Sequence, residues 1–300
     1  MSGPLGGAAR LAYPGPGGAP RQRTGGDHAM YQPSFEGDEF HRPVQHYEIR
    51  ANGRRILYAY IRKNACTSFK HLIGRRITWQ SLLNRATGGP RARDPEDIRS
   101  LRPFRVSAPR AAGPEFDARV FVWRDPLERA VSTYLNKMVD RSGAGDFHAN
   151  WRTVTGTDPE TATFADYVAY VEEDFGAIDV HCMPQKAHLF AIPYTHAIPM
   201  SDLRTGIADV VGERLAERHF SRPRNATEGS GGAGTLAGDL SGRPAAELAA
   251  ERARGARLDR QGFLTGPLTA RLEARYAADR EMIAKVERKG GAGRESGAAA

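Results

Sequence analysis

Three short stretches carry residues able to hold an anionic substrate and act on it. The first is Arg62-Lys63-Asn64-Ala65-Cys66-Thr67-Ser68. Its small residues let backbone N–H groups curl around a phosphate, and a helix following it would aim the positive end of its dipole at the same anion. Lys63 adds a point charge, and Thr67 and Ser68 add hydroxyl donors. The second is Trp123-Arg124-Asp125-Pro126-Leu127-Glu128-Arg129-Ala130-Val131-Ser132-Thr133-Tyr134. Arg124 offers a planar fork that can grip a phosphate through two parallel bonds. Ser132 follows about two helical turns later. The third is His181-Cys182-Met183-Pro184-Gln185. Imidazole titrates near neutral pH and is a common acceptor for the proton of a hydroxyl nucleophile. A structural hydrogen bond in a loop is equally open for His181.

The first stretch is not a Walker A loop, because the glycines are absent and the lysine precedes the hydroxyls by several residues. An ordinary strand–helix turn with an exposed lysine is its other reading. Glu128 and Arg129 read as a helix-surface pair, and Tyr134 as core. His71 follows the first loop on its helix and reads as packing or facing solvent, and His188 and His196 have no supporting pattern. No metal-binding spacing of cysteines or histidines occurs, so no metal is expected.

These stretches need elements to position them. Arg55–Ile61 is a short apolar run suited to a buried strand, and Phe69, Leu72 and Ile73 recur at helical spacing behind the first loop. Arg119–Arg124 is a second buried strand. Asp125 suits an N-cap, Pro126 the first helical position, and Glu128 completes a capping box. Leu127, Ala130, Val131, Tyr134, Leu135 and Met138 then form one apolar stripe. A helix is expected over Phe164–Asp174, a strand over His196–Met200, and a helix from Ser201 or Asp202 to about Glu217. Leu268, Leu272, Tyr276, Ile283 and Val286 mark a closing helix. The alternation predicts an α/β fold, a P-loop-like parallel β-sheet flanked by helices. Both anion-binding stretches fall at the carboxyl ends of strands, where such sheets bind ligands.

The 300 residues, 40% of them hydrophobic, suffice for one large domain, and the formal charge of +8 favours anionic partners. Gly- and Pro-rich composition predicts a disordered leader over 1–45 and a tail over 290–300, around a domain at 46–289. Irregular insertions are expected near 84–115 and 222–256. The Arg-rich segment from Arg75 to Arg110 reads either as a polyanion footprint or as a solvated basic loop. Cys66 and Cys182 are too few for a disulfide scaffold and read as reduced thiols. No signal-peptide core and no apolar run of about 20 residues occurs, so a soluble, cytoplasmic protein with no integral membrane anchor is expected.

In this order the motifs resemble the PAPS-dependent carbohydrate sulfotransferase family (PAPS, 3′-phosphoadenosine-5′-phosphosulfate) that includes the chondroitin enzymes. Thr163-Phe164, His181-Cys182-Met183-Pro184-Gln185 and the Tyr276…Asp279 pair continue the likeness, which covers about 55–288. The resemblance implies that Arg62 to Ser68 cradle the phosphosulfate, with Lys63 at the reacting group. It implies that Arg124 and Ser132 hold the 3′-phosphate, and it makes His181 the candidate base. Arg62 stands where the family usually has Pro, and Cys182 where it has Trp. The missing anchor is similar to a soluble bacterial-type member. The implied reaction moves a sulfuryl group from PAPS to a hydroxyl of a carbohydrate or glycosylated small molecule, with neither metal nor nucleic acid. A P-loop-type kinase using ATP and a non-enzymatic polyanion-binding protein are the alternatives.

Overall fold

The computed structural model describes residues 30–35, 44–74, 98–221 and 233–297. Strands β1 (His46–Ala51) and β2 (Arg54–Ala59) form a hairpin closed at Asn52-Gly53, whose φ values of +50 and +72° suit a tight two-residue turn. Helix α1 follows over 66–74. A 3₁₀ turn (Ile98–Phe104), β3 (Arg105–Val106) and α2 (Ala108–Ala111) lead to β4 (Ala118–Trp123). Helix α3 (Pro126–Tyr134) runs into a π turn (Leu135–Val139), then α4 (Gly145–Thr155) and α5 (Phe164–Glu172). Next come β5 (His196–Pro199), α6 (Leu203–Val211) and α7 (Glu213–Phe220), the two helices separated at Gly212 with φ +88°. The chain ends with β6 (Ala233–Leu236), α8 (Ala245–Ala253), β7 (Ala256–Leu258), α9 (Gly266–Arg275) and α10 (Ala277–Gly297).

The main sheet has five strands in the order β3-β1-β2-β4-β5. Its β2, β4 and β5 are parallel, while β1 and β3 add an antiparallel edge. This is the α/β sheet flanked by helices that the sequence predicts, with a mixed rather than wholly parallel sheet. Side chains alternate across it. Ile56, Tyr58, Val120 and Val122 pack on one face with α1, α6 and α7. Leu57, Ala59 and Phe121 pack on the other with Leu189, Tyr194 and α10. Burial on both faces explains why β2 and β4 read as unbroken apolar runs. A separate helical core gathers the stripe of α3 with α4, α5 and α9 around Trp151, Tyr134 and Tyr167.

Several expected irregular regions are ordered where they are described. Tyr31, inside the expected leader, is 5% exposed, packs on Phe121 and exchanges backbone bonds with Tyr194. Within the expected insertions Leu101, Val106, Leu240 and Leu248 are buried, and α10 runs on to Gly297. Residues 1–29 and 36–43 of the leader, the basic segment 75–97 and residues 222–232 lie outside the described residues. The burial of Tyr31 makes it a structural anchor. Tyr31→Ala is expected to lower unfolding free energy by about 3 kcal/mol, as large-to-small core changes do. Denaturant titration reads this directly, and a loss under about 0.5 kcal/mol, the level of an ordinary surface change, would show that the contact adds nothing.

Candidate active site

Beyond β2 the chain turns through Lys63 at φ +69° and Ala65 at φ +54°. Left-handed backbone costs an L-residue about 1–2 kcal/mol, so surrounding contacts must hold this loop. Asn64 is fully buried, and its Nδ2 donates to the Val122 carbonyl at 2.8 Å and to Gln185 Oε1 at 2.6 Å. Arg129 Nε donates to the Arg62 carbonyl at 3.1 Å. Phe69 of α1 stacks on Tyr58 of β2 at 3.7 Å, which seats the helix behind the loop. Ser68 is buried, and Ala65, Cys66 and Thr67 are half-buried.

Gln185 joins this loop to the second anion-binding stretch. The Arg124 N–H donates to Gln185 Oε1 at 2.9 Å, and Gln185 Nε2 donates to the Arg124 carbonyl at 2.8 Å. Behind it lies Asp279 of α10, fully buried, whose carboxylate accepts the Gln185 and Lys186 N–H groups at 2.8 and 2.9 Å. Burial pushes the Asp279 carboxyl upward; Arg129 and these N–H groups pull it back. One amide side chain thus fixes the ends of two adjacent parallel strands. Ser132 is buried on α3.

Around Arg124 two local expectations change. Asp125 caps α3 through the Leu127 and Glu128 N–H groups, but Glu128 turns to Arg124 Nε at 3.4 Å instead of closing a capping box. Arg129 is not a surface partner of Glu128: it is 2% exposed, and its Nη1 donates to the Met183 carbonyl at 2.8 Å. It therefore sits beneath the loop as a buried cation. Tyr134 is core, as its place on the stripe predicts. Cys182 is fully buried beside Tyr167, so this position packs inward rather than facing a ligand. Both cysteines are free thiols.

His181 has a carboxylate partner. Its Nδ1–H donates to Asp179 Oδ1 at 2.6 Å, and the Tyr170 hydroxyl accepts the Asp179 N–H at 2.6 Å. This fixes the tautomer and leaves Nε2 with a lone pair. Burial lowers the His181 pKa to about 4, Asp179 opposes the shift, and Lys137 and Arg62 reinforce it. The Lys63 ammonium is pushed down to about 8, first by burial; Cys66 opposes, and Lys137, Arg124 and Arg129 add repulsion. Lys137 Nζ donates to the Ser142 and Gly143 carbonyls, each at 2.9 Å. Asp140, within electrostatic reach of Lys63, forms an ion pair with Arg252 of α8 at 2.8 Å. Lys63 is thus within electrostatic reach of Arg124 and Lys137, and the His181–Asp179 pair within reach of Lys137 and Arg62, which makes this end of the sheet a cationic region.

A sulfotransferase family model matches residues 48–225. The chain belongs to the sulfotransferase family. It is a transferase of sulfuryl groups. No curated protein and no solved structure matches the chain. The span matched to the sulfotransferase family holds all three chemical stretches, while Arg252 and Asp279 reach the site from beyond it. Among the described residues, no helix is long and apolar enough to cross a membrane. The sequence alone assigns no role to Asp179, Lys137 or Asp140, and it places Arg129 on a helix surface. Asp179 had a usable signal, a carboxylate two residues before the histidine. Lys137 had none, because the π turn alters the helical register that places it.

Proposed function

We propose that this sulfotransferase moves the sulfuryl group of PAPS to a hydroxyl of a carbohydrate or glycosylated acceptor. The Lys63 loop, Arg62 to Ser68, takes the 5′-phosphosulfate, and Arg124 with Ser132 takes the 3′-phosphate. The carrying observation is the Gln185 bridge between Asn64 and Arg124. It sets two cationic strand ends side by side, as a nucleotide charged at both its 5′ and 3′ positions requires. The acceptor oxygen attacks sulfur, and the bond from sulfur to the 5′-phosphate oxygen breaks with its electron pair left on that oxygen. The products are the sulfate ester and 3′-phosphoadenosine-5′-phosphate. The hydroxyl proton passes to His181 Nε2. Lys63 faces the charge that develops on the leaving oxygen. The carbohydrate assignment rests on the ordered motif resemblance, and a panel of sugar acceptors with labelled PAPS tests it.

Arg124→Ala is expected to weaken 3′-phosphoadenosine-5′-phosphate by about 10- to 150-fold, the range for a charged hydrogen bond. Adenosine-5′-phosphate lacks the 3′ group and should be nearly indifferent. The main-chain anchor to Gln185 survives the change, so the strand end stays in place. Calorimetry with both nucleotides and with ATP checks the assignment. Equal losses for both adenosine nucleotides, or a preference for ATP, would reject it.

A further inference from the structure

Lys137 is a buried ammonium that the described chain does not neutralise. It is 7% exposed and, among the described residues, forms no ion pair. An ammonium has three protons. Two are committed to the Ser142 and Gly143 carbonyls. Those carbonyls are brought round by a loop with Arg141 at φ +54° and Gly143 at φ +53°. A Cβ at Gly143 would come within 3.9 Å of the nitrogen. The helix is adapted too. Lys137 lies in the π turn, which closes through Asp140 N–H to the Leu135 carbonyl at 2.7 Å. One extra residue in the hydrogen-bonded ring changes the direction of side chains beyond it, and such turns occur often at functional sites. His148 supports the same turn, its Nε2 lying 2.8 Å from the Lys137 carbonyl.

The charges in electrostatic reach of Lys137 are Asp179, Arg62 and Lys70, and Lys137 in turn disfavours the charged forms of Lys63 and His181. Lys63, Lys137, Arg62 and Lys70 outnumber the carboxylates Asp179 and Asp140, and burial disfavours the charged forms of Lys63 and Lys137. Such a cluster is stabilised by an anion at its centre. Lys63 marks the leaving-group end of the reaction line and His181 the acceptor end. Lys137 is within electrostatic reach of both, and its third N–H is the donor the two carbonyls leave over. We infer that Lys137 donates its third N–H to an oxygen of the sulfuryl group itself, and so binds the moving group rather than the nucleotide that carries it.

This rests on PAPS being the donor. Lys137 makes no covalent bond and accepts no proton: the bond from sulfur to the leaving oxygen breaks, the bond to the acceptor forms, and the acceptor proton goes to His181. The ammonium only accompanies the sulfuryl oxygens through the transfer.

The test compares donor and product. 3′-Phosphoadenosine-5′-phosphate keeps both phosphates and lacks the sulfuryl group. Lys137→Met and Lys137→Gln are titrated with PAPS, without acceptor, and with 3′-phosphoadenosine-5′-phosphate; the glutamine variant retains an N–H for the two carbonyls. Product affinity should stay within about twofold, PAPS affinity should fall about tenfold, and turnover should fall about 10²- to 10³-fold, as when one oxyanion donor is removed. The unchanged product affinity also shows that the fold is intact. Parallel losses for both nucleotides, or none for PAPS, would overturn the role of Lys137. If the wild-type protein binds neither nucleotide, the donor assignment falls instead.

Discussion

Lys63→Ala is expected to lower turnover by about 10³-fold, the scale of losing one preorganised charge at a leaving oxygen. The ammonium is held by a loop that is itself held, through Asn64 to Val122 and Gln185 and through Arg129 to the Arg62 carbonyl. Nothing has to reorganise when the oxygen becomes charged. The same setting gives an alkaline limb. With its pKa near 8 in the free protein, Lys63 is charged below that pH and loses its proton above it. Donor kcat/KM should therefore fall above pH 8. Bound donor, being anionic, raises the pKa, so the limb in kcat should lie higher. Lys63→Arg remains charged and should lose the limb. Backbone strain is separable: Lys63→Gly suits φ +69° and should fold at least as stably as the wild type while losing as much turnover as Lys63→Ala. Rates at several pH values together with melting curves check this. A glycine variant with near-normal turnover would remove Lys63 from the reaction.

Much of this site is legible from local chemistry. Strand ends carrying Lys63 and Arg124 are visible because doubly buried strands leave unbroken apolar runs, and Asp125-Pro126 announces a helix start. What escapes the sequence is set by contacts between distant residues. Arg129 is polar on a helix and reads as surface, yet its partners are carbonyls of Arg62 and Met183. Gln185 stands out only as a member of a motif; its use as a clamp depends on Asn64, 121 positions earlier. The π turn at Leu135–Val139 follows from no composition rule and moves Lys137 out of its helical register. Strand β1 opens the domain expected over 46–289, yet its sequence HYEIRA holds no unbroken apolar run, so the Asn52-Gly53 turn, a strong hairpin signal, is what points to it. The Gly- and Pro-rich composition of the leader hides Tyr31, a single aromatic buried by a two-residue backbone exchange.

His181→Ala is expected to lower turnover by about 10²- to 10⁴-fold, the span of a general base, and to leave affinity for 3′-phosphoadenosine-5′-phosphate unchanged. The imidazole contacts only the acceptor proton, so the nucleotide should not register its loss. Asp179→Asn should show a smaller loss in turnover, because the ring remains but its tautomer and orientation are no longer fixed. The pH dependence identifies the role. An ordinary imidazole would place the rising limb near 6.5. Here the free protein holds His181 near 4, through burial and the charges of Lys137 and Arg62, against the pull of Asp179. Above that value the ring is neutral and can accept a proton; below it the ring is charged and cannot. The limb in kcat/KM should therefore lie near pH 4, with a flat region from about 5 to the Lys63 titration near 8. Bound sulfuryl and phosphate groups favour the imidazolium, so the limb in kcat should move up. Lys137→Gln removes a repelling charge and should move the free-protein limb up as well. Asp179→Asn removes an attracting charge and should move it down. A profile that keeps its acid limb in His181→Ala, with normal turnover and a lowered melting temperature, would assign His181 to the scaffold and leave Asp140 as the carboxylate to test next.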